Sequence, residues 1–202
     1  MSTANIWDAS NPQEVIFEAT NLNDQPITAD ISYSIYKLQS PKRVLRKKPW
    51  DIVEWPYLEK EKFIELFPHE PYDSSDIKEH WKKGTLLLSE TRKIDKSTTI
   101  PFAELANWKS GTYVLEAKAV DVFQDTVSVA KRFELFHPGE HKLPDNKLFS
   151  YKITNSNFKN DGFVEILFST SSESLHINLE AFYKGGSVFK AVSYTHLTLP
   201  TN

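Results

Sequence analysis

The chain has 202 residues, 40% hydrophobic and 25% charged, with a formal net charge of −3. That composition suits one or two globular domains rather than a disordered chain, and it offers no basic field to draw in nucleic acid. Cysteine is absent, which excludes disulfides, thiolate metal sites and a cysteine nucleophile.

The N-terminus, "MSTANIWDASNPQ", has neither the basic nor the apolar region of a signal peptide. The protein is therefore cytoplasmic, or Met1 is not the true start. No apolar run approaches the roughly 18 residues of a membrane span, so direct membrane insertion is not expected.

Strand signals dominate the chain order. "VIFEAT" alternates Val15, Phe17 and Ala19 against Ile16, Glu18 and Thr20. A turn cluster at 21–26 follows, with Asn and Asp able to bond their own backbone. The clearest strand is next: Ile27, Ala29, Ile31, Tyr33 and Ile35 line one face, with Thr28, Asp30, Ser32 and Ser34 on the other. Period two over that length predicts a half-buried antiparallel strand.

From about 40 to 83 the pattern breaks. Phe63, Leu66 and Phe67 fall at helical spacing until Pro68 stops them. "SSDIKEHWKKG" predicts a second short helix, capped by Ser74 or Ser75, with Ile77 and Trp81 on one face and Gly84 at its end. The stretch reads as a partly helical insertion between strands.

Strands resume in "TLLLSETRKI" and "STTIPF". A single turn at "ELANW" precedes "SGTYVLEAKAVD", with Tyr113, Leu115, Ala117 and Ala119 on one face, and "DTVSVAKRFELF". Residues 1–138 thus hold roughly six strands, near the seven of an immunoglobulin-like sandwich. Tyr113, early in the penultimate strand, is placed to bond back to the backbone of the preceding corner. Residues 139–146, polar and proline-containing, read as a solvated linker. Beyond it "LFSYKI", "GFVEILFS" and "SLHINLEAFY" supply three more strands. Val164, Ile166 and Phe168 alternate, as do Leu175, Ile177, Leu179, Ala181 and Tyr183. So few strands cannot cover both faces of a core, so residues 147–191 read as the start of a second, truncated sandwich.

Few residues invite a chemical role. His137 and His141 are four apart, but Pro138 and Gly139 oppose the helix that would make them metal ligands, and a solvated linker is the simpler reading. The basic run "KRVLRKK" at 42–48 is either an anion patch or, the reading adopted, a solvated loop balanced by Asp51, Glu54, Glu59 and Glu61. Trp50, Trp55, Tyr57 and Trp81 either grip a sugar or protein partner or, as favoured here, form a satellite core under the insertion. No nucleophile elbow, phosphate loop or dinucleotide fingerprint occurs. No catalytic, cofactor-binding or metal-ligating residue is assigned, and no enzyme is expected.

Three stretches together resemble the bacterial alpha-2-macroglobulin family, in the form found in Bacteroidetes-type bacteria. "TNLNDQPITADISYSIYKLQSPKRVLRKKPW" is similar to a strand–turn–strand of that family, "EKFIELFPHEPY" with the later Trp81 to the insertion after it, and "WKSGTYVLEAKAVDVFQDTVSVAKRFELF" to the last two strands of a macroglobulin domain. The resemblance covers about residues 12–191. It departs at Asp24 and Gln124, where the family has Gly, and each departure bears on a turn of positive φ. The closing "VSYTHLTLPTN", residues 192–202, resembles a translated sequencing adaptor and is expected to be a non-native tail.

The resemblance implies an all-β fold: an immunoglobulin- or fibronectin-III-like macroglobulin sandwich with the insertion at about 40–83, then the truncated second sandwich. It implies a scaffold fragment of a protease inhibitor of the cell envelope, periplasmic or anchored at the outer membrane. Its partners would be neighbouring macroglobulin domains and, for the full-length protein, target proteases. The family's thioester needs a cysteine and cannot lie in this stretch, and no bait region is apparent. The alternative is an Ig-like adhesin or carbohydrate-binding module using Trp50, Trp55 and Trp81. An accessory sandwich of a secreted hydrolase would need a catalytic domain that this stretch lacks.

Overall fold

The alternation around Ile31 becomes the strand on which the first unit is built. In the computed structural model, residues 1–46, 57–120, 126–137, 140, 143–155, 163–172, 174–183 and 185–196 are described. The chain divides into two units, Met1–Asn146 and Lys147–Asn202.

The first unit is a sandwich of unequal sheets. The larger has five strands in the order β1 (Ile6–Asp8), β7 (Thr126–Phe136), β6 (Gly111–Val120), β3 (Thr28–Leu38) and β4 (Lys83–Asp95). The smaller pairs β2 (Gln13–Glu18) with β5 (Ser97–Phe102). Every pairing is antiparallel except β1 on β7, which is parallel. β1 is a strand that the sequence reading lacks, because three residues are too few to show a period.

Period two buries Ile31, Tyr33 and Ile35 on β3, and Tyr113, Leu115 and Ala117 on β6, against Val15 and Phe17 of β2 and Ile100 and Phe102 of β5. Aromatic rings bridge the sheets: Phe17 lies 5.6 Å from Tyr33, and Tyr33 meets Phe102 edge-on at 6.1 Å. Trp7, fully buried, stacks on Phe133 at 3.7 Å and reaches Phe102 at 5.6 Å. At its start β6 is buried on both faces, Thr112 and Val114 as well as Tyr113 and Leu115.

None of the insertion's described residues before β4 belongs to a strand of either sheet. Its helix, α1 (Lys60–Leu66), ends at Phe67 before Pro68, as expected. The second helix does not form. Two separate turns of 3-10 helix, Ser74–Asp76 and Lys78–His80, stand in its place. Asp73, rather than Ser74 or Ser75, caps the first, its carboxylate accepting from the Ser75 N–H at 2.9 Å. Gly84 ends no helix. It lies in β4, where a Cβ would come within 2.9 Å of the Lys37 carbonyl oxygen. In the first turn, Asp24 takes φ 57 without the glycine, helped by Asn21, whose side-chain oxygen accepts from the N–H groups of Asn23 and Gln25. Gln124 lies outside the described residues.

The second unit holds two antiparallel pairs, β8 (Phe149–Asn155) with β9 (Glu165–Thr170) and β10 (Ser174–Tyr183) with β11 (Gly186–His196). Val164 precedes β9 rather than joining it. None of this unit's described side chains is buried; Tyr151, Phe163 and Phe182 are all more than half exposed. β11 runs on into the segment expected to be foreign, with Val192 opposite Asn178 and His196 opposite Ser174.

Candidate functional site

Among the described residues, two of the buried polar side chains, Ser110 and Thr112, lie together where β6 begins. The segment before it, "WKSG", turns the chain from the Glu104–Asn107 helical turn into the strand. Tyr113, the first large inward residue, is fully buried and its hydroxyl donates to the Lys109 carbonyl oxygen, the bond expected of a tyrosine at this corner. Burial, with the charges of Asp145 and Glu140 nearby, raises its pKa well above the ordinary phenol value. Lys37 of β3 donates to the Ser110 carbonyl at 3.1 Å, and its ammonium lies 5.8 Å from the Tyr113 ring centre. The Ser110 hydroxyl accepts from the His137 N–H at 3.0 Å.

The expected linker closes this group. Leu143 is buried, and residues 144–146 form a short helical turn against β6. Thr112, fully buried, donates from Oγ1 to Asp145 Oδ2 at 2.6 Å. Asn146 Nδ2 donates to the Pro41 carbonyl at 2.8 Å. The reading of 139–146 as a solvated linker is therefore wrong for its last four residues. A buried hydroxyl and a carbonyl on the sandwich supply bonds that draw the segment back. Of these residues the sequence singles out Tyr113 and, for a different role, His137. "PDN" after a leucine carries a turn signal, but nothing in it names Thr112 as its partner.

The other candidates disperse. Arg43 pairs with Asp76 at 2.5 Å and Arg46 with Glu70, so both arginines of the basic run are paired inside the insertion. Those partners are not Asp51, Glu54, Glu59 and Glu61; Asp51 and Glu54 lie outside the described residues, with Lys47 and Lys48. The Asp76 carboxylate also accepts from the Tyr72 N–H at 2.9 Å, which ties the basic loop to the turn beyond α1. Lys60 pairs with Asp73 at 2.7 Å, and this bond chiefly holds the Asp73 carboxyl below its usual range.

His137 places its ring Nε2 2.5 Å from the Trp108 carbonyl oxygen, a contact that uses the nitrogen as a donor and not as a metal ligand. His141 lies outside the described residues. Among the described residues no group of three or more His, Asp or Glu is arranged to hold a metal.

Among the described residues the insertion's rings group without a buried core: Phe63 and Tyr72 are partly buried and Phe67 is exposed. Phe63 lies 5.2 Å from both Phe67 and Tyr72, and the Tyr72 hydroxyl donates to the Leu58 carbonyl at 3.0 Å. Tyr57 is fully exposed, Trp81 is half-buried, and Trp50 and Trp55 lie outside the described residues. Among the described residues no helix is long and apolar enough to cross a membrane.

No protein-family model, curated protein or solved structure matches the chain. The chemistry available at the start of β6 is structural: donors and acceptors that close on one another and on backbone, where the chain leaves the first unit.

Proposed function

We propose that this chain is scaffold from an alpha-2-macroglobulin-like endopeptidase inhibitor of the cell envelope: one macroglobulin-type sandwich and the start of another. It carries no catalysis of its own and works through neighbouring domains of the same chain. The observation behind the reading is where the polar residues are used. Thr112, Ser110, Lys37 and Asn146 hold backbone or linker at the start of β6, and Arg43 and Arg46 brace the insertion. A chain whose polar side chains are spent on its own joints suits a spacer in a large mechanical protein. The resemblance at residues 20–50 and 108–136 supplies the family.

The carbohydrate-binding alternative gains little. Of the tryptophans it calls on, Trp50 and Trp55 lie outside the described residues, and Trp81 is half-buried with its indole N–H 3.5 Å from the Asp76 carbonyl oxygen.

The test compares residues 1–146 with the whole parent protein against a panel of proteases. The parent is expected to retain activated protease while residues 1–146 retain none. A parent that leaves every protease free ends the family reading. Saturable binding of a polysaccharide by residues 1–146, lost in Trp81→Ala, would put the adhesin in its place.

A further inference from the structure

The end of the linker is held in a way that differs from every strand around it. Asp145 and Asn146 both take positive φ, 57 and 52. For residues with a Cβ this region costs roughly 1 kcal/mol or more each, somewhat less for Asp and Asn. Opposite them Gly111 takes φ 152, and a Cβ there would meet Lys37 Cε at 3.0 Å and Asp145 Oδ1 at 3.1 Å. The lack of a side chain at 111 is what lets Asp145 come down onto the strand.

Among the described residues, the contacts that hold this strained segment against the sandwich are made by side chains. Leu143 is buried, Asp145 accepts from Thr112, and Asn146 donates to Pro41. Breaking these contacts breaks no ladder bond of β6 or β7, so the segment can open without the sandwich opening. Intermediate positions are disfavoured. Thr112 is fully buried, and a slackened Asp145 leaves its hydroxyl without a partner before water can reach it.

We infer that residues 143–146 are a releasable latch, with a docked state on β6 and a free state. Docked, they fix the point at which the chain leaves the first unit. Free, they add four residues of slack, a reach of roughly 13 Å. The inference rests on this cluster alone and does not depend on the family reading.

Native-state digestion of the full chain with trypsin tests it through cleavage after Lys147, because the protease cleft must take up the residues just before that bond and residues 144–146 must therefore leave the sandwich. Thr112→Val removes the donor and Asp145→Ala the acceptor. Each is expected to speed cleavage after Lys147 about tenfold, since cleavage follows the population of the open form and one hydrogen bond is worth about that factor. Asp145→Asn keeps both an accepting oxygen and tolerance of positive φ, and is expected to stay within about twofold of the parent. Cleavage after Lys118, within β6, is expected to be unchanged in all three. If Thr112→Val fails to fold, Asp145→Ala, which leaves the apolar core intact, carries the test. Unchanged cleavage of Asp145→Ala after Lys147, or equal acceleration at Lys118, would overturn the latch.

Discussion

Tyr33 lies in the middle of β3 at 1% exposure, and its hydroxyl donates at 2.6 Å to Glu90, its register partner on β4. Burial first, and the bond to Glu90 second, push the phenol up to about 12. The unfolded phenol ionises near 10, so between those two values the unfolded chain gives up a proton that the folded chain keeps. The contribution of Tyr33 is therefore whole below about pH 10 and is lost as pH rises towards about 12. It amounts to about 2 kcal/mol by roughly pH 11.5. Tyr113, also raised by burial, adds to the loss in the same direction. Urea midpoints measured at intervals between about pH 9 and pH 11.5 are expected to fall, and to fall less steeply in Tyr33→Phe. Equal slopes for the two proteins would show that the Tyr33 proton is not held by the fold.

The strands differ in how far residue pattern alone reveals them. β3 and the inward face of β6 were legible because a half-buried strand imposes period two, and Ile31, Tyr33, Ile35, Tyr113 and Leu115 obey it. β1 was not, because its place depends on a tertiary fact: Trp7 fits between Phe133 and Phe102, and its indole N–H lies within hydrogen-bond reach of Thr3 Oγ1 (3.0 Å) and the Ala4 carbonyl (3.1 Å). Trp7→Ala is expected to destabilise the first unit by about 3–5 kcal/mol, read as a fall in denaturant midpoint at constant slope. A loss below about 1 kcal/mol would mean that β1 is an ornament on β7.

Gly84 misled for a similar reason. Glycine ends helices often enough to read as a stop, but here it sits in a bulge where Gly84 and Thr85 together oppose Lys37. Its Cβ would press on a backbone oxygen, which cannot move aside without moving β3. Gly84→Ala is expected to cost about 1–3 kcal/mol, read as a fall in denaturant midpoint. The linker was misread because its composition is polar, and composition does not show a buried partner such as Thr112. For the two arginines of the basic run, sequence proximity favours acids just beyond it, whereas the fold brings Asp76 to Arg43 and Glu70 to Arg46.

At the scale of the whole chain the buried apolar side chains among the described residues all belong to the first unit, from Trp7 to Leu143. Residues 1–146 are therefore expected to unfold in one cooperative transition on their own. The second unit differs. Its two strand pairs leave Phe149, Tyr151, Leu167, Phe182 and Phe189 exposed, and an isolated two-stranded sheet is marginal in water. Residues 192–196 do pair with β10, but backbone ladder bonds by themselves add little net free energy, because each replaces a bond to water. Residues 147–202 alone are thus expected to show a gradual denaturant response with no cooperative step, and removal of 192–202 to change it by less than about 1 kcal/mol. If the segment were native to the fold and buried Tyr194, Leu197 and Leu199, each large side chain would contribute roughly 1.5–3 kcal/mol. A cooperative transition in residues 147–202 that disappears with the last eleven residues would therefore show that the closing segment is the final strand of a real domain, and the adaptor reading would have to be given up.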